Sequence, residues 1–370
     1  MENPGFLLRA ARRSRGLSLA ALAAKTNYSK SLLGMLENGQ RDVKQEHIIG
    51  YSRALNIPVN ELMAPPQDPI RVAHEWLVAD SAPKTSGSAG RRVGDSLATQ
   101  MEERVVELRH MDDSVGGRHL LPLVLEEFEN ARRVITECSY TERTRKRLLI
   151  VAGELAQLAG WVASDAGRYG EAQRLYLSGA SAADDAGDRV LTAQLLSSLS
   201  YQMANVGNPQ EAALLARTAV KGAPHAPPTV RSLLADRLAW ACARARDREE
   251  AKRALDAVDD AYDRRSADIP EPEWVYWMDR TEIDVMAGRC FVELGDPVRA
   301  SSLLSRAIGQ LSTDRIREVA LYRTWLAESF LKTSDLDAAR ATIQEARTAA
   351  DSAHSTRLDR RIAEIEAMLA

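Results

Sequence analysis

Cysteine is scarce, with three in 370 residues. Cys138, Cys242 and Cys290 are odd in number, far apart and without CxxC spacing, which argues against a disulfide framework and against a zinc site. His47, His74, His225 and His354 are scattered singly, as surface or packing residues are. No GxxxxGK phosphate cradle, HExxH pair or GxSxG elbow occurs, so nucleotide, zinc-hydrolase and serine-hydrolase chemistry lack their usual residues. The expectation is a chain that is not an enzyme and needs no cofactor or metal. Long hydrophobic runs are missing as well. The most apolar stretch, Leu148 to Ala163, is broken by Glu154 and Gln157 and falls short of the roughly 20 residues that span a bilayer. Met1-Glu2-Asn3-Pro4 does not open a secretory signal. These absences predict a cytoplasmic protein with no membrane contact. Lysine is rare too: 41 arginines face 8 lysines, which together with abundant alanine reflects a GC-rich coding composition.

What is present allows two or three domains, and 45% apolar residues suffice for ordinary cores. The net charge is −3, yet residues 1–64 hold nine Lys/Arg against five Asp/Glu. That head is +4 and leaves −7 for the remainder. Small asymmetries of this kind are common, but a basic head on an acidic body suits a protein that puts only its N-terminus on nucleic acid.

Residues Gly16 to Arg41 spell a helix-turn-helix. Ser18 is placed to cap a helix whose Leu19, Leu22 and Ala23 share one face. Thr26-Asn27-Tyr28-Ser29 breaks it and supplies a second cap at Ser29. Leu32, Leu33 and Leu36 of the next helix face inward, and Asn38-Gly39 ends it with a left-handed cap. From Leu8-Arg9-x-Ala11-Arg12 through Leu36-Glu37-Asn38-Gly39 to Ala54-Leu55-Asn56-Ile57-Pro58, the chain resembles the phage-repressor and Cro-like (XRE) helix-turn-helix family. The resemblance implies a five-helix domain that puts its second motif helix in the major groove of double-stranded DNA. It implies base contacts from Lys30, Ser31, Gly34 and Met35, phosphate contacts from Ser18, Asn38 and Arg41, and a structural ion pair between Arg12 and Glu37. Ser, Gly and Met stand where glutamines of this family often read adenine.

Pro65-Pro66 and Pro69 close this domain, Ile70 to Ala79 fits a short amphipathic helix with His74 and Trp76, and Ser81 to Asp95 reads as a flexible linker. Two helices, about 97–111 and 118–136, flank the turn Asp112 to Gly117. His110, His119 and the aspartates of that turn invite a metal-site reading, but capping and a Gly-Gly turn explain them better.

The rest repeats. A small residue is followed twelve positions later by alanine in Gly160/Ala172, Ser200/Ala212, Ala239/Ala251, Gly288/Ala300 and Ala327/Ala339, at unit spacings of 40, 39, 49 and 39 residues. Small residues at fixed spacing let antiparallel helices approach closely. With Gly160, Gly167, Tyr169, Ala172 and Tyr176 in its best unit, this part resembles tetratricopeptide repeats. The expected fold class is all-α: residues 1–64 as the helix-turn-helix domain, 65–96 as a linker with a short helix, and 97–370 as a tetratricopeptide-like solenoid. Its units lie near 145–184, 186–223, 229–262, 274–311 and 314–350, with a capping helix at 355–370. The 49-residue spacing is attributed to an insertion around Tyr262 to Glu273.

On the repeat template, the residue after each small residue forms one column of a concave groove: Trp161, Tyr201, Trp240, Arg289 and Glu328. One turn on come Asp165, Asn205, Arg244, Glu293 and Lys332. Tryptophans at helical spacing are usually core, but columns that mix rings with both signs of charge favour a groove. The effector groove is therefore expected at Trp161, Asp165, Tyr201, Asn205, Trp240, Arg244, Arg289 and Glu293. The combined architecture resembles the quorum-sensing receptors of Gram-positive bacteria, which implies a homodimer on an inverted-repeat operator controlled by a peptide or small-molecule effector. The alternative is an interaction scaffold whose repeats bind a protein partner; the intact Leu36-Glu37-Asn38-Gly39 end and the basic head speak against a vestigial DNA-binding domain.

Overall fold

In the computed structural model, the described residues are 4–15, 17–57, 59–63, 67–78, 91–112, 117–312, 315–353 and 355–370. Among them the chain is all-helical and the one strand-like feature is an isolated bridge between Arg92 and Ser139. The expected fold class, a helix-turn-helix head followed by helical repeats, is the one observed.

The head consists of α1 (Pro4–Ser14), α2 (Leu19–Lys25), α3 (Lys30–Glu37), α4 (Gln45–Leu55) and α5 (Val59–Leu62). Local chemistry sets its boundaries. The Ser18 hydroxyl accepts from the Ala21 N–H and the Ser29 hydroxyl from the Leu32 N–H, so both motif helices begin on a capped donor. Gly39, at φ 71°, turns the chain out of α3 while the Gln40 N–H returns to the Met35 carbonyl at 2.8 Å. Leu8, Leu22, Leu33, Tyr51, Leu55 and Leu62 then close a small core of their own.

Helix α6 (Pro69–Val78) is no free linker helix. Its buried Trp76 lies on Gly222, where a Cβ would meet the indole ring at 1.9 Å. The stretch read as a flexible linker also ends earlier than its sequence suggests: Val93 donates to the Ser139 carbonyl and the Ser139 N–H donates to Arg91. The turn considered as a metal site lies largely outside the described residues.

Helices α7 (Asp95–Asp112) and α8 (Gly117–Glu137) lead into five helical hairpins. These are α9 (Glu142–Asp165) with α10 (Tyr169–Asp185), α11 (Arg189–Val206) with α12 (Pro209–Gly222), α13 (Pro228–Arg244) with α14 (Arg248–Tyr262), α15 (Arg280–Glu293) with α16 (Pro297–Gln310), and α17 (Ile316–Lys332) with α18 (Leu336–Ala353). The small residues act where backbones approach, though not always through the expected partner. Gly160 sits under the Tyr176 ring, which a Cβ would meet at 2.6 Å, and the Ser200 hydroxyl donates to the Ala212 carbonyl at 2.8 Å. Helix α9 is long and apolar enough by composition to cross a membrane, but 67% of its apolar window is buried among its neighbours.

The first helices of successive hairpins pack side by side and make the inner face. The C-terminal helix α19 (Thr356–Leu369) does more than cap the last unit. It packs on α17 and α18 as a cap would, and it also reaches back across the inner face to the first unit. There the Ser355 hydroxyl donates to Asp165 at 3.1 Å and Arg360 donates to the Tyr169 hydroxyl at 2.7 Å.

Candidate functional site

On the head, Lys30 and Ser31 occupy the exposed first turn of α3, with Gly34 and Met35 half-buried one turn on. Gly34 faces α2, 3.8 Å from Leu19 measured from where its Cβ would be, so alanine fits there. Ser18, Asn38 and Arg41 are exposed at the ends of the motif. Ser18 already spends its oxygen on capping, and the Asn38 side-chain oxygen accepts from Arg9 at 2.9 Å. Behind α3 the Glu37 carboxylate, 2% exposed, accepts from Arg12 Nε and Nη2 at 2.6 Å each and from the Tyr51 hydroxyl at 3.0 Å. The hydrogen bond to Glu37 raises the Arg12 pKa, and burial followed by the Glu37 charge drives that of Tyr51 upward. The triad fixes the end of α3 to α1 and α4.

The inner face of the repeats encloses a cavity with about 1130 Å³ of empty space, counted to its solvent-open mouth. Every first helix of the hairpins contributes to its wall, joined by the end of α7, the insertion after α14 and the start of α19. Tyr201, 5% exposed, is at its centre. The Tyr201 hydroxyl accepts from Arg289 at 2.9 Å and from Arg357 at 2.5 Å, and the Arg237 guanidinium lies 4.2 Å from its ring centre. Burial alone would raise the phenol's pKa, but Arg289, Arg357 and Arg237 outweigh it and bring it down to about 8. Beside Arg237, burial pushes the Asp236 carboxyl up to about 6.

A titration follows from Tyr201. Its folded pKa lies below the ordinary 10, so its ionisation adds stability that is fully present above that value and is lost as pH falls through about 8. Ultraviolet difference titration should resolve one tyrosine ionising near pH 8 that disappears in Tyr201→Phe. A wild-type curve superimposable on that of the variant would contradict the arginine arrangement.

Of the eight residues assigned to the groove, Trp161, Asp165, Tyr201 and Arg289 line this cavity, and Asn205 joins the first three around a smaller neighbouring one. Trp240 requires correction. It is 0% exposed and stands edge-on to Trp325 at 5.2 Å, beneath the Arg289 guanidinium and away from the cavity wall. Arg244 and Glu293 are off the wall as well, paired with each other at 2.7 Å between α13 and α15. The reason is local packing: the Trp240 ring is covered by Trp325 and the Arg289 guanidinium, whereas the equivalent Trp161 stacks on Tyr201 at the cavity wall.

Repeat spacing missed Arg237, Arg317 and Arg357, and the walls supplied by Arg109 of α7 and Trp274 and Trp277 of the insertion. One signal was available: Asp236-Arg237 is a charged pair inside the apolar run Leu233 to Ala243, and both side chains are buried. Cys242, Asp247 and Glu250 also come within 4.8 Å of one another. Arg217 occupies both carboxylates, and burial, reinforced by Glu250, pushes the thiol up to about 12, so the group is poorly suited to hold a cation.

Head and repeats are linked through a buried acid. Glu171, on α10 of the first hairpin, forms ion pairs with Arg15 of the head and with Arg168. Arg15 also donates to the Asn56 carbonyl at 3.3 Å, so it spans the end of α4 and the repeats. Tyr169, held by Arg360 of α19, is two residues from Glu171 on the same helix end.

No curated protein matches the sequence. Among solved structures, the chain is similar to Bacillus thuringiensis PlcR in complex with the peptide PapR7 and DNA, at 13% identity over 100% of this chain and 99% of that one. The TM-score of 0.34 is too low to carry an inference about function. Residues 8–62 match the helix-turn-helix family model, which spans α2 and α3 and the core around them. The chain thus carries an N-terminal helix-turn-helix DNA-binding domain joined to a helical-repeat body.

Proposed function

We propose that the chain is a ligand-responsive transcription regulator. Residues 1–64 bind an inverted-repeat operator as one head of a homodimer, 65–96 connect, and 97–370 take up a peptide or small-molecule effector. The observation that carries this reading is the arginine-lined cavity and its physical link to the head. Helix α19 supplies Arg357 to the cavity and Arg360 to Tyr169, and the helix that starts at Tyr169 holds Arg15 of the head through Glu171. An effector that moves α19 therefore acts on the helix end to which the head is tied. A single small head makes few base and phosphate contacts, so two on a symmetric site is the usual solution.

Exposed Lys30 and Ser31 are the residues on which direct readout rests. Removing a side chain that reads a base edge should cost about 1–3 kcal/mol of discrimination between operator and scrambled duplex, and Lys30→Ala with Ser31→Ala removes both. Loss of Arg41 should instead weaken both duplexes alike. Binding isotherms on the two duplexes decide it, and unchanged discrimination in a folded double variant would contradict the assignment. Footprints should show half-site centres about 10 bp apart or a multiple of that.

Arg15→Ala should leave operator affinity near that of the wild type while reducing the effector-induced change, because it removes the tie and leaves the DNA-facing side chains in place. Fluorescence anisotropy with labelled operator, with and without effector, measures both quantities. A full effector response in this variant would exclude the Glu171 link as the route.

A further inference from the structure

We propose that the cavity takes a compact organic anion, a carboxylate or phosphate ester on a flat apolar frame, seated on Arg237, Arg289 and Arg357 around Tyr201. This deepens the sensing reading and rests on it for its regulatory consequence. Arg289 is 1% exposed, and its Nε and Nη2 have no hydrogen-bond partner. Its Nη1 donates to the Tyr201 hydroxyl and approaches Met286 Sδ, both at 2.9 Å. It also packs against the rings of Trp240 at 4.3 Å, Trp325 at 5.0 Å and Tyr201 at 5.5 Å, with the Asp236 charge acting on it from beyond ion-pair distance. Rings hold the guanidinium in place but do not neutralise it, and a buried cation with open N–H donors is costly until an acceptor arrives.

The excess charge is local to Tyr201. Arg109, Arg315 and Arg317 of the same wall have Glu154, Glu282 and Glu318 as carboxylate partners. Among the described residues neither Arg289 nor Arg357 has a carboxylate within 4.0 Å, and Arg237 has only Asp236 at 3.6 Å. Arginine donors in a planar fork suit the paired oxygens of a carboxylate or phosphate. The apolar part of the ligand has Trp161, stacked on Tyr201 at 5.9 Å, with Leu158, Leu321 and Trp277 nearby.

Compactness follows from what crosses the inner face. Ser355 and Arg360 pin α19 over the first hairpin, Arg109 pairs with Glu273 of the insertion, and Arg317 meets Asp112 of α7 at 3.7 Å. An extended seven-residue peptide would need about 23 Å of uninterrupted groove.

Isothermal titration of the full chain with phenyl phosphate, benzoate and neutral benzamide tests the proposal. Both anions should bind one per chain, with benzamide weaker by roughly tenfold or more, and Arg289→Met should lower anion affinity by roughly tenfold to a hundredfold. Arg357→Met, at the half-buried start of α19, keeps the test readable should Arg289→Met fail to fold. Equal binding of benzamide, anion binding unchanged in a folded variant, or no binding of either anion at on the order of 10 mM overturns the proposal. Operator affinity measured alongside separates the two claims. Anion binding without any change in operator affinity keeps the site and removes the sensing reading. A response to culture extract that persists in both folded variants keeps sensing and removes the anion site, as does a response traced to an extended peptide indifferent to both arginines.

Discussion

Replacing Glu37 by alanine should unfold the N-terminal domain and leave the repeats folded. The carboxylate accepts three hydrogen bonds, two from Arg12 and one from Tyr51, and all three side chains are buried. Truncation leaves the phenol without a partner and the buried guanidinium with the Leu17 carbonyl but no counter-charge, a change that typically costs about 3–5 kcal/mol. A domain of this size often has little more than that in total. Calorimetry should therefore show the transition of the head abolished and that of the repeats kept, with no operator binding. Replacing both charged partners, Arg12→Met with Glu37→Leu, should recover much of the stability, because no charge is then stranded. A Glu37→Ala head that melts within about 1 kcal/mol of the wild type would contradict the assignment of the triad as the tie between α1, α3 and α4.

Trp240→Ala should destabilise the repeat body by about 3–5 kcal/mol, the usual cost of emptying a fully enclosed aromatic site. Its ring fills the space between α13 and α17 against Trp325 and supports the Arg289 guanidinium. The substitution thus leaves both a void and a displaced arginine. Trp240→Phe should cost less and keep Arg289 over a ring. Chemical denaturation followed by circular dichroism measures both variants. An unchanged midpoint for Trp240→Ala would mean that the ring stands in an open groove after all.

These two sites also mark how far the sequence could be read. The head was legible because its signals are local. Ser18 and Ser29 cap helices within three residues of themselves, and Gly39 terminates α3 through its own backbone angle. The hairpins were legible for a similar reason, since turns such as Asn208-Pro209 and Asp296-Pro297 announce where each second helix starts. The cavity was legible only in part. Trp161 and Trp240 hold equivalent places in their units, yet one lines the cavity and the other is enclosed, because neighbours distant in sequence decide exposure. Arg357 belongs to a helix that spacing assigned to the end of the stack, and no local pattern says that it returns to Tyr201, 156 positions earlier. Arg15 and Glu171 are likewise 156 residues apart, so their ion pair has no signature in either segment alone.

The most direct test of the central claim is the affinity of the full chain for its operator, measured by anisotropy with and without culture extract, together with effector affinity with and without operator. The account predicts a change in operator affinity of about 5- to 150-fold, the same factor in the reciprocal measurement, and loss of both in a folded Arg357→Met variant. An operator affinity that the extract leaves unchanged, with the protein shown to bind a component of it, would contradict control of the head by the cavity.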